Sequence, residues 1–90
     1  MQDLELTRQQ TEATRLQFIE VEFDLANTFL SIARETGLDQ EKTRRNYQYA
    51  RLAYETITRL MADADLLQDK RSELESRLQK IDTALQQVEL

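Results

Sequence analysis

The chain has no cysteine, histidine, proline or tryptophan, and one glycine, Gly37, among its 90 residues. Without histidine and cysteine there is no imidazole–nucleophile pair, no thiolate nucleophile and no zinc site of nitrogen and sulfur ligands. Sheets need turns, and turns lean on glycine, proline and asparagine; this sequence offers only Asn27, Gly37 and Asn46. The scarcity excludes all-β and α/β folds. It leaves an all-α chain, and the length allows one domain, residues 1–90.

Long apolar runs are missing too. The most apolar stretch, Phe18 to Ala33, carries Glu20, Glu22 and Asp24 and is too short to span a bilayer. The opening Met1-Gln2-Asp3-Leu4-Glu5 has no basic or apolar leader region. The absence of cysteine fits a reducing compartment. The expectation is a cytoplasmic protein with no membrane partner. Twelve basic residues against seventeen acidic ones give a net charge of −5, which argues against a nucleic-acid surface.

What remains is helical pattern. Residues Met1 to Thr14 are polar, and Leu4, Leu6 and Ala13 share no face, so this segment reads as a frayed or solvent-exposed lead-in that a crystal could hold as helix. Helix 1 is expected over about residues 11–36. At about 100° per residue, Leu16, Ile19, Phe23, Ala26, Leu30 and Ala33 form one apolar stripe. Phe18, Val21, Leu25, Phe29 and Ile32 form a second. Together they span roughly 220°, more than the usual apolar face of a surface helix. Gly37 is the expected stop, in the left-handed conformation. Leu38 is expected to pack back on the last turn, and Asp39 to cap the next helix. The short connection makes helices 1 and 2 antiparallel neighbours.

Helix 2, about residues 40–62, places Tyr47, Tyr49, Ala50, Ala53, Tyr54, Ile57, Leu60 and Met61 on one face. Arg44, Arg51, Glu55 and Arg59 occupy the other. Helix 3, about residues 66–88, has a narrow stripe of Leu67, Leu74, Leu78, Ile81, Leu85 and Val88, with Arg71 breaking it at an inward position. The expected architecture is an antiparallel up-down-up three-helix bundle. The turn between helices 2 and 3 is placed near residues 62–66, with Asp65 and Gln68 as a capping box. No glycine or proline marks it, and the apolar register runs on from Ala50 to Val88. A helical hairpin with one very long second helix is the alternative.

Around the first hairpin stand Ala26-x-x-Phe29-Leu30-x-x-Ala33-x-x-x-Gly37 and Glu41-Lys42-Thr43-x-x-x-Tyr47-x-x-Ala50. This pattern resembles a single tetratricopeptide helix pair, over about 25 residues. It departs from that family by one residue inserted after Gly37, by Thr43 where alanine is preferred, by the missing final proline and by a longer second helix. A third helix after one such pair is similar to small domains of the microtubule-interacting-and-transport type. The resemblance implies a helix-hairpin interaction module rather than a catalyst.

The residues themselves add little chemistry. Glu20, Glu22 and Asp24 alternate along helix 1 and point about 200° apart, so they cannot converge on one ion. No metal, cofactor or catalytic group is expected, and the chain is not read as an enzyme. Glu22 falls within the apolar arc, where a carboxylate must reach the rim or find a donor. Lys42, Arg44, Arg45, Arg51 and Arg59 make helix 2 basic beside an acidic helix 1. Tyr47 and Tyr49 next to them invite comparison with single-strand binding. Charge complementarity between helices explains the arrangement more simply. The expected function is a small non-enzymatic protein–protein interaction module; a structural or regulatory dimerisation segment of a larger assembly is the alternative. The candidate interface is Phe18, Val21, Leu25, Phe29 and Ile32, facing another helical protein or a second copy in a homodimer.

Overall fold

In the computed structural model the backbone is described for residues 2–87 and the side chains for residues 11–87. Three helices follow one another: α1 (Gln2–Glu35), α2 (Gln40–Asp63) and α3 (Gln68–Gln86). There is no strand among the described residues. The up-down-up arrangement shows in what meets what. Arg71 near the start of α3 reaches the Met61 carbonyl near the end of α2, and Leu85 near the end of α3 lines a groove with Gly37, Thr43 and Tyr47, so α3 runs against α2 and along α1. Glu12 and Arg15 of α1 reach the far end of α2, so α2 runs the other way. The bundle measures 58 × 20 × 15 Å.

The first apolar stripe of α1 is the core. Ile19, Phe23, Ala26, Leu30 and Ala33 are all buried, and Leu16 packs against them half-buried. Ala50, Ala53, Ile57 and Met61 of α2 meet this stripe, and Leu74, Ile81 and Leu85 of α3 close it. Ala26, Ala50 and Ala53 have side chains short enough to let α1 and α2 approach closely.

Several expectations need correction. α1 takes in residues 2–14, ahead of the start expected near residue 11, and no glycine or proline interrupts the chain before Gly37. Gly37 does not take the left-handed conformation. The turn is closed by threonines instead. The Thr36 carbonyl accepts from the Asp39 amide at 2.8 Å and from the Thr43 hydroxyl at 2.5 Å. The Thr36 hydroxyl in turn donates to the Ile32 carbonyl at 2.9 Å. It also donates to the Ala33 carbonyl at 3.4 Å, one of those a left-handed glycine cap would satisfy. Leu38 does not pack back; it is fully exposed. Asp39 does cap α2, its carboxylate accepting from the Lys42 amide at 3.1 Å.

The chain breaks between Asp63 and Gln68, which rules out the single long second helix. The capping box is not formed. Leu67, not Asp65, stands at the N-cap of α3, without a side-chain hydrogen bond. Leu67 is also 83% exposed rather than part of the stripe, since it precedes the first helical turn. Val88 lies outside the described residues.

Three side chains from neighbouring elements hold this loop. Glu12 accepts from the Asp65 amide at 3.1 Å, Arg15 donates to the Asp63 carbonyl, and Arg71 donates to the Met61 and Ala64 carbonyls at 3.3 and 3.1 Å. α2 has no basic residue in its own last turn. Two guanidinium groups from α1 and α3 supply the positive charge that its C-terminal carbonyls favour. Arg71 breaks the stripe of α3 for this reason.

Candidate protein-interaction surface

Which flank of α1 is covered depends on where α3 lies. α3 sits over Glu20, Phe23, Asn27 and Leu30. The Arg77 guanidinium donates to both carboxylate oxygens of Glu20, at 2.7 and 2.9 Å, and its central carbon lies 4.2 Å from the centre of the Phe23 ring. Lys70 adds a weaker contact to Glu20 at 4.0 Å. Hydrogen bonding from Arg77 holds the Glu20 carboxyl below its ordinary range, against the opposing effect of burial. The same pair raises the affinity of Arg77 for its proton. Glu20 is thus a clamp between helices rather than one of three solvated charges.

The second stripe lies on the other flank, where α3 does not reach. Phe18, Val21 and Leu25 are 58%, 53% and 40% exposed, while Phe29 and Ile32 are half-buried. Phe29 is partly covered by Tyr49 of α2, with ring centres 5.1 Å apart and planes tilted by 47°. Tyr49 itself is 43% exposed, and Leu52, one helical turn on, is 59% exposed. The α1/α2 pair therefore presents a two-helix apolar face opposite α3. Glu22 sits on it, half-buried, as a rim position in an apolar arc should.

Leu52 is absent from the face expected for helix 2. Its signal was an isolated large apolar residue among the polar positions of an otherwise clean amphipathic helix. Tyr49, expected on the apolar face of helix 2, stands at its edge, its ring packed on Phe29, as suits a tyrosine that keeps its hydroxyl in water.

The two tyrosines beside the basic residues part company. Tyr47 lines a groove of about 410 Å³ with Arg44, Arg51 and Leu85, whereas Tyr49 stacks on Phe29. They do not form one stacking platform. Among the described residues no group of three or more acidic, histidine or cysteine side chains could hold a metal ion. None of the helices, over those residues, is long and apolar enough to cross a membrane. Comparison of the chain with protein-family models, curated proteins and solved structures finds no match.

Proposed function

We propose that this chain is a small non-enzymatic helical module that binds protein through the α1/α2 face, working in the cytoplasm, in keeping with its lack of cysteine. One observation carries the reading. Five large side chains, Phe18, Val21, Leu25, Tyr49 and Leu52, stand at least 40% exposed on one flank of a bundle whose opposite flank is closed by α3. Contiguous apolar patches of this kind mark interaction sites on small soluble domains.

A photo-crosslinking side chain placed at Leu25 tests it, with Gln79 on the exposed side of α3 as the control. The expected result is a discrete protein adduct from position 25 in cells and none from position 79. Equal labelling from both positions, or from neither, would refute the assignment of the face.

A further inference from the structure

The occupant of this face can be argued from its size and charge. The exposed parts of Phe18, Val21, Leu25, Tyr49 and Leu52, with the open edges of Phe29 and Ile32, amount to apolar surface on the order of 500 Å². Two such faces together remove on the order of 1,000 Å², the lower bound for a specific interface.

Charge divides along the same face. α1 carries seven acidic residues against three basic, and α2 five basic against three acidic. On the face itself α1 contributes half-buried Glu22, and α2 contributes exposed Arg59 together with Arg45, which is already paired with Glu41 of its own helix at 3.6 Å. Such a surface is complementary to itself after a half-turn. Laying α1 on another α1 sets acid against acid, while laying α1 on another α2 sets acid against base.

We infer that the face is covered by a second copy of the chain, related by a two-fold axis parallel to the helices, so that each α1 lies on the partner's α2. The inference rests on the interaction reading above. The two hairpins then form a four-helix layer pair with α3 of each copy outermost. Because the axis runs along the helices, every adjacent pair in that layer is antiparallel, which sets opposite helix dipole ends side by side. The net charge of −5 on each copy opposes association, so the dimer is reversible and gains from salt that screens the long-range repulsion.

Sedimentation equilibrium of the full chain, from about 1 to about 300 µM in about 0.15 M salt, decides it. The expected mass rises with concentration from 10.6 kDa to twice that value. Leu25→Glu is expected to hold the mass at that of one chain while the circular dichroism stays helical. Should that variant fail to fold, Leu52→Lys, at a more exposed position, makes the same test.

Pairing is tested with Glu22→Lys and Arg59→Glu chains. Each alone is expected to self-associate about ten-fold more weakly, because symmetry repeats the altered contact twice. Mixed one to one, they are expected to form a heterodimer near the strength of the unaltered chain. A single-chain mass at every concentration overturns the inference, and so does an Arg59→Glu chain that dimerises undiminished. A single-chain mass alongside a discrete heterologous adduct from position 25 would leave the interaction reading standing without it.

Discussion

Arg77 on α3 grips Glu20 on α1 through two parallel hydrogen bonds, and its guanidinium covers the ring of Phe23 between them. A fork-shaped donor meeting a carboxylate in this way fixes the rotation and register of one helix on another. Of the contacts between α1 and α3, this one joins two charges on different helices at short range. It tells α3 which flank of α1 to cover.

The clamp makes stability depend on pH in a definite sense. The Glu20 carboxyl is held below its ordinary value of 4.5, so folding favours its ionised form. Its contribution is complete above the unfolded value and is lost as pH falls through the lower folded value. Arg77 is shifted upward from an already high value, and adds nothing to titration in acid. Glu20→Gln is expected to cost about 0.5–1 kcal/mol near pH 7, a modest figure because the carboxylate is partly exposed. Below the ordinary carboxylate range the deficit should close. Urea midpoints at about pH 7 and about pH 3 check this; parallel profiles for the two proteins would show that the clamp contributes nothing.

Gly37 is expected to tolerate a side chain. Its φ is not positive, and a Cβ added there would lie 3.8 Å from the Arg34 carbonyl oxygen, an ordinary contact. Gly37→Ala should therefore stabilise by about 0.4–1 kcal/mol, by narrowing the unfolded ensemble. A loss of about 1 kcal/mol or more in the denaturant midpoint would indicate a left-handed residue after all. The companion change Thr43→Ala removes the hydroxyl that closes the turn, and should cost about 1 kcal/mol.

The two stripes of α1 should answer differently to the same truncation. Leu30 is 4% exposed within the core, and Leu30→Ala is expected to cost about 2–5 kcal/mol. Leu25 is 40% exposed, and Leu25→Ala should cost under about 1 kcal/mol in dilute solution, where no partner covers it. Similar losses at both positions would mean that the second stripe is ordinary core.

Much of this architecture was legible in the sequence. Strongly periodic segments such as Tyr47–Met61 mark both a helix and its buried face, because burial of a stripe is a local pattern. The division of helix 1 into two stripes was legible for the same reason. What could not be read was the choice of flank for α3. That choice depends on Arg77 finding Glu20 from 57 residues away, and neither residue differs in type from the solvated charges around it. The turn chemistry failed for a related reason. Gly37 and the Asp65–Gln68 pair carry local cap signals, yet Thr43 closes the first turn, and Glu12, Arg15 and Arg71 hold the second. Tertiary partners outcompeted the local ones.

That second loop gives the last expectation. Its backbone groups are served by side chains distant in sequence: the Asp65 amide by Glu12, the Asp63 carbonyl by Arg15, and the Met61 and Ala64 carbonyls by Arg71. Glu12 and Arg15 also pair with each other at 3.3 Å, so the early turns of α1 reach the loop as a unit. An exposed loop lacking glycine and proline would otherwise open easily, and the unbroken apolar register from α2 to α3 offers a competing straight helix. Removing the holders should favour that competitor. Glu12→Ala is expected to speed hydrogen exchange at the Asp65 amide with little effect on the core amides, a local opening rather than global unfolding. Arg71→Met keeps the apolar stem and removes the charged donors; it should cost about 1–2 kcal/mol. With both changes present, exchange at residues 64–67 should slow again if the straight helix forms and quicken further if the loop only frays. Unaltered exchange at Asp65 in Glu12→Ala would show that Glu12 does not hold the turn, and that the break between α2 and α3 is set by Arg15 and Arg71.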